Sequence, residues 1–435
     1  MTHTPAIELK TLDEQHLFQL QKLNDVLHYV NQYSPFYKKL FAQHQVDISR
    51  IHSIADLQKL PTTSKEDLQL NNLDFICVDQ SRIAEYTATS GTLGSPVTIA
   101  MTEKDIQRLA YNESLSFGLM GLSNKDIVQL MLTLDRQFMA GVAYYLGLKE
   151  IGATSIRTGP GLPSLQIETI QRLHTTTLVA VPSFLIKLIE YCVTYHIDIN
   201  ALPVTKILCI GENIRQDDFQ LNSLGQYINS NWNVQLYSTY ASTEMQTGFT
   251  ECAYGQGGHH HPELIILEIL DDVGKQLKAG EYGEVTITTL GVEAMPLVRY
   301  RTGDICCFYD EPCACGRHTI RLSPVAGRKQ QMIKYKGTTL YPPAVFELLN
   351  QVREIKEYVV EVASDAMGMD ELVLHINTPL SVDECEQKLK PFLQSRLRVM
   401  PLIAYHSHTE MMEMIFPMGS RKAVKFIDNR KGQIQ

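Results

Sequence analysis

The segment "TATSGTLGSP" at 87–96 concentrates hydroxyl side chains and two glycines between two strand-like runs, "RIAEY" and "VTIAMT". Gly91 and Gly94 let main-chain N–H groups turn toward one point, and Thr89, Ser90 and Thr92 add hydroxyl donors around it. A concave set of donors of this kind suits an anion such as pyrophosphate. The same composition also describes a polar hairpin turn, and the spacing is not the GxxxxGK of a strand-to-helix phosphate loop. A second group lies further along. "ECAYGQGGHHH" and "PCACGR" together offer Cys252, one histidine of 259–261, Cys313 and Cys315, a Cys3His set suited to a structural zinc. Cys306 and Cys307 fall inside a strand-like run and read as packing residues.

Positioning such groups takes a large scaffold. The 435 residues exceed one compact core and predict a large domain with a smaller one. Hydrophobic residues make up 44% of the chain, yet no stretch approaches the roughly 18 uninterrupted apolar residues of a membrane span. The start, "MTHTPAIELK", lacks the basic and apolar regions of a secretory signal, so a cytoplasmic location is expected. Nine cysteines without a framework fit reduced thiols or a metal site better than disulfides. A net charge of −9 argues against a nucleic-acid surface and leaves a small-molecule partner as the expectation; the sequence allows a homodimer and does not decide the oligomeric state.

The opening hundred residues read as helices; in "SPFYKKLFAQH", Ser34 is a natural N-cap and Pro35 the first helical residue. From 127 the pattern alternates strand and helix: "IVQLMLTL", "GVAYYLGLKEIGA", "TSIRTG", "SLQIETIQRLH", "TLVAVP", "SFLIKLIEYCVTYH". That alternation predicts βαβ units around a mostly parallel sheet. "TKILCIGE" and "NVQLYSTYASTE" are then buried strands ending in polar turns, where α/β sheets place ligands. After 260 short strands predict hairpins or a barrel-like part. A boundary is expected within "AGRKQQMIKYKG", giving an α/β domain over 1–327 and a small α+β domain over 328–435. Val382, Cys385, Leu389, Phe392 and Leu393 share one helical face in the latter.

Residues 89–96 resemble the phosphate-binding signature of the adenylate-forming superfamily, in particular the SSGTTGKPT of the phenylacetate–coenzyme A ligase family, with Leu93 for a threonine and Ser95 for the lysine. "YSPFYKKLF", "LPTTSKEDL", "YASTE", "RYRTGD" and "AGRKQQMIKYKGTTLYPPAVFE" are similar to further elements of that family, in the same order along nearly the whole chain.

The resemblance implies an ATP-dependent acid–thiol ligase. A small carboxylic acid would be activated as an acyl-adenylate and passed to coenzyme A. Glu244 would hold Mg2+ between phosphate oxygens, a task suited to a hard carboxylate oxygen. Tyr240 would lie against adenine, with Ala241, Ser242 and Thr243 beside the nucleotide. "IGEN" matches a GAEP turn, placing Gly211 and Glu212 near adenine and ribose. Asp304 would grip the ribose diol with its two acceptor oxygens. Arg328 would approach the ribose or α-phosphate, and Gln330 stands at the hinge of a small domain that rotates between half-reactions. Lys422 aligns with the adenylation lysine, although Lys425 lies close by. In the zinc group the phrase "GHHHPE" selects His260, and His259 or His261 can replace it.

By the same resemblance the acid pocket forms from "LTLDRQFMAGVAYYLG" and the turn before "YASTE", lined by Phe138, Met139, Ala140, Gly141 and Tyr237. Their apolar character suits an aromatic ring and equally a core. Two other functions are weighed against the ligase. One is adenylylation with a different acceptor, a deazaflavin cofactor or a carrier-protein thiol. The other is a degenerate nucleotide-binding regulator, for which Ser95 and Gln330 would be signs of decay.

Overall fold

Local signals set the first helices. Thr11 caps helix Leu12–Tyr33 through a reciprocal box with Glu14, and Ser34 caps helix Pro35–Gln43 by accepting from the Tyr37 N–H. The computed structural model describes residues 4–89, 97–336, 338–364, 369–397, 399–417 and 423–430. The chain divides into two compact units, residues 1–325 and 326–435.

The first unit is built on a sheet of nine strands among the described residues. Five of them, Thr154–Arg157, Ile127–Leu130, Thr177–Ala180, Lys206–Cys209 and Gln235–Ser242, run parallel in that spatial order. In chain order this is 2-1-3-4-5, a doubly wound arrangement whose direction of winding reverses beside Ile127–Leu130. Side-chain alternation explains why these strands read as continuous apolar runs. Leu178, Ala180, Ile207 and Cys209 pack into one core, while Val128, Leu130, Val179 and Leu208 pack into another. Both faces of the sheet are therefore covered.

Beyond Ser242 the sheet continues with antiparallel strands: Thr247–Glu251, Gly258–His259, Arg321–Leu322 and Phe308–Tyr309. A separate antiparallel sheet holds Ile265–Leu270, Gly283–Thr289 and Tyr300–Cys306. The hairpin of Ile83–Ala88 with Thr98–Thr102 carries the Gly/Ser/Thr segment between its arms. No described helix is long and apolar enough to cross a membrane.

The second unit is α+β. Its sheet orders as Leu402–Tyr405, Asp370–Asn377, Glu357–Ser364, Phe426–Asn429. Val360, Val362, Leu374 and Ile376 form its core with helices Pro342–Asn350 and Val382–Leu397. In the latter helix Cys385, Leu389 and Leu393 are buried as their spacing predicts, whereas Val382, at the first turn, is exposed.

Candidate active site and metal centre

The strand Gln235–Ser242 ends in a tight turn, residues 243–246, because Ser242 already pairs with Thr247 of the returning strand. Glu244 sits in that turn, 9% exposed. Tyr240, just before it, donates its hydroxyl to Asp304 Oδ2 at 2.7 Å, tying this strand to Tyr300–Cys306. Burial, then the Asp304 charge, holds the Tyr240 phenol well above its ordinary range, so it stays a donor. Tyr300 is 1% exposed, and its phenol is likewise raised by burial, then by the charges of Glu244, Asp304 and Glu66. Glu66 reaches this place because Thr63 bonds both Arg299 and Arg301 through main-chain groups, at 3.0 and 2.8 Å. Three carboxylates from distant segments thus gather around one buried phenol. A carboxylate oxygen suits a hard divalent cation or a diol.

The structure places the other expected residues unevenly. Thr89 closes the neck of the early hairpin, its N–H donating to the Val97 carbonyl and its Oγ1 accepting from the Val97 N–H, both at 3.0 Å. Ser90, Gly91, Thr92 and Gly94 lie outside the described residues, as does Lys422. Gly211 is exposed with φ at +75°, a conformation open to glycine at low cost. Glu212, beside it, accepts from the Ser183 N–H at 2.8 Å and so caps helix Pro182–Thr194. Ala241 is exposed, Ser242 and Thr243 are half-buried, and the Ser242 hydroxyl accepts from the Met245 N–H. In the second unit Arg328 and Gln330 are exposed, and the Gln330 carbonyl accepts from Arg430 at 2.8 Å.

The five residues expected to line an acid pocket do not form one set. Phe138 and Ala140 lean on the core that holds Tyr144 and Tyr237, whereas Met139 joins a different core. Tyr237 is 2% exposed with its hydroxyl donated to the Met120 carbonyl, a placement that favours packing over substrate contact. At Gly141 a Cβ would come 2.0 Å from the Thr133 carbonyl oxygen, so this glycine serves a close backbone approach.

The metal-ligand group comes together with one correction. Cys252, His259, Cys313 and Cys315 offer ligand atoms all within 4.8 Å of one another; His260 is not among them. The strand Gly258–His259 ends at the imidazole that faces the cysteines, and the chain leaves the strand at His260, whose ring turns elsewhere. His260 Nε2 meets the Ile265 carbonyl at 2.8 Å, and His261 Nδ1 meets Glu8 at 2.6 Å. Three successive imidazoles therefore go three ways. The Cys252 and Cys313 sulfurs lie 3.7 Å apart. Two thiolates about 2.3 Å from a tetrahedral zinc stand roughly 3.8 Å apart, so the donor set fits that ion. His259 Nδ1 is held by the Thr319 hydroxyl at 3.0 Å, leaving Nε2 toward Cys315 at 3.6 Å. Thr319 had no sequence signal of its own, since nothing in "RHTI" distinguishes an orienting hydroxyl from a strand residue.

Comparison with known proteins follows the same geometry. Residues 29–294 match the family model described as "AMP-binding enzyme", more than half of the chain. The chain is 26% identical over 381 residues to a phenylacetate–coenzyme A ligase of Thermus thermophilus, covering 86% of this chain and 84% of that protein. It is 28% identical over 380 residues to the ligase of the same name from Aromatoleum evansii, covering 85% and 83%. Among solved structures, a 2-hydroxyisobutyryl-CoA ligase in the postadenylation state, in complex with R3-HIB-AMP, superposes with a TM-score of 0.85 at 19% identity, over 98% of this chain and 94% of that one. An o-succinylbenzoate coenzyme A synthetase from Bacillus subtilis in complex with AMP gives a TM-score of 0.58 at 18% identity, over 79% and 71%. At these identities the structural likeness speaks for the fold, and the sequence match for the kinship: the chain belongs to the AMP-binding enzyme family.

Proposed function

We propose that this protein is an AMP-forming acid–coenzyme A ligase acting on a small carboxylic acid. The acid's carboxylate oxygen attacks the α-phosphorus of ATP and pyrophosphate leaves, giving an acyl-adenylate. The coenzyme A thiol then adds to the acyl carbon, its proton passing to solvent, and AMP departs. Such chemistry asks the protein for positioning and charge neutralisation rather than for its own nucleophile.

The observation that carries this reading is the Tyr240–Asp304 hydrogen bond, which ties strand Tyr300–Cys306 to strand Gln235–Ser242, with Glu244 in the turn that ends the latter. Asp304 would accept from the ribose diol, and Tyr240 steers its carboxylate. Glu244 would hold a magnesium ion, which neutralises charge on the phosphate oxygens when bound. Thr89 would anchor the hairpin, and Ser90, Gly91, Thr92 and Gly94 would be its groups for the phosphates. Residues 1–327 would thus bind ATP and acid, and residues 328–435 would bring Arg328 and Lys422, with Gln330 as the hinge. Cys252, Cys313, Cys315 and His259 would hold a zinc with no open position, a structural staple between strand Gly258–His259 and the loop at 313–315. A cytoplasmic location fits the use of ATP, coenzyme A and reduced cysteines.

The test is pyrophosphate release with ATP and magnesium across a panel of aryl and alkyl acids, followed by thioester detection when coenzyme A is added. The expected result is acid-dependent release for at least one acid class and a thioester. A flat response to every acid would overturn the reading.

A further inference from the structure

Helix Glu103–Leu119 turns an unusual stripe toward the interior: Arg108, Asn112 and Ser116, spaced by four and 8%, 0% and 0% exposed. Each bond of the Arg108 guanidinium goes to a neutral acceptor. Nε donates to the Leu290 carbonyl at 2.8 Å, Nη1 to the Gln246 carbonyl at 2.8 Å, and Nη2 to the Thr247 hydroxyl at 3.1 Å and the Leu264 carbonyl at 2.5 Å. One helical turn on, the Asn112 side-chain carbonyl accepts from the Gly248 N–H at 3.2 Å.

Burying a cation against neutral groups is unfavourable, and burial pushes this guanidinium down to about 10, still charged at neutral pH. An apolar side chain would fill the space at lower cost. What only arginine provides is a planar fork of donors that fixes three separate chain segments in one geometry. One of these is the turn that carries Glu244. Gln246, two residues on, has φ at +50°, a strained value for a side chain with a Cβ. Its amide nitrogen and oxygen are both buried with no partner among the described residues, so this end of the turn is held by its main chain. The acceptor that holds it is the carbonyl bound by Arg108.

We infer that Arg108 is a positioning residue for adenylation: through the Gln246 carbonyl and Thr247 it fixes the turn that aims Glu244 at the nucleotide-bound magnesium. This inference rests on the assignment of Glu244 as the magnesium ligand.

The test compares Arg108→Lys, Arg108→Met, Thr247→Val and Glu244→Gln in the full chain. The readouts are pyrophosphate release against magnesium concentration, thioester formation from supplied acyl-adenylate, and melting temperature. Outer-shell changes of this kind weaken metal binding by roughly ten- to a hundredfold. A rise of that order in the magnesium needed for half-maximal adenylation is expected for Arg108→Met, with thioester formation nearly unchanged. Arg108→Lys, which keeps the charge and loses the fork, should move the same way with a smaller change in melting. Thr247→Val removes one bond and keeps the inference testable should Arg108→Met not fold. Lower melting with unaltered magnesium dependence across the Arg108 and Thr247 variants would overturn the inference while Glu244→Gln still shifts that dependence. If Glu244→Gln itself leaves magnesium dependence unmoved, the assignment of Glu244 falls and the inference falls with it.

Discussion

Glu113 shows how burial alone sets the behaviour of one side chain. It is 5% exposed, bonded by the neighbouring Asn112 amide at 3.0 Å, and burial pushes its carboxyl up to about 8. Below about pH 4.5 folded and unfolded chains both carry the proton. Between there and pH 8 only the folded chain keeps it, so stability falls as pH rises through that window. The total is on the order of 5 kcal/mol. Glu113→Gln should therefore flatten the loss of melting temperature between pH 5 and 8.5 relative to the unaltered protein. Parallel pH profiles for the two proteins would contradict this. The histidine run offers a second residue-scale prediction. His259→Ala should strip the chain of zinc, measured as bound metal after gel filtration, whereas His260→Ala should retain it, since only His259 faces the sulfurs. Equal zinc content in the two variants would refute the placement of the ligand.

At the scale of elements, the fold depends on close approaches that only glycine allows. Helix Met139–Glu150 meets helix Glu103–Leu119 at Gly147, where a Cβ would come 2.4 Å from the Glu113 Cβ and 3.0 Å from its main-chain carbon. Neither neighbour is the loose end of a side chain, so the helices must separate. Gly147→Ala should cost about 1–3 kcal/mol, read from urea denaturation at constant slope. A variant as stable as the parent would mean the crossing is looser than described. The same crossing explains why the acid pocket was hard to read from "LTLDRQFMAGVAYYLG". Apolar residues at helical spacing serve two cores and a backbone contact here, and periodicity cannot distinguish those from a ligand wall.

For the whole molecule, the proposed reading gives Lys422 of the second unit a role in the first half-reaction alone. Lys422→Ala should depress acyl-adenylate formation by roughly 10²–10³-fold, the scale for losing one group that meets developing charge. The same variant should still turn supplied acyl-adenylate and coenzyme A into thioester at close to the normal rate. Equal loss in both half-reactions would mean that Lys422 supports structure rather than adenylation, and a matching defect in Lys425→Ala would move the role there.

The sequence by itself determined what short-range physics controls: the cap at Ser34, the strand–helix alternation from 127, the hairpin around 87–96, and the resemblance that named Tyr240, Glu244 and Asp304. Tertiary structure decided what depends on direction and on distant partners. His259 rather than His260 joins the cysteines because the Thr319 hydroxyl holds the one ring and the Ile265 carbonyl the other, partners brought near only by folding. Arg108 shows no motif, since its acceptors at 246, 264 and 290 become neighbours only when the helix docks against those segments. Spacing along the chain carries no record of such contacts, because they are set by packing between elements.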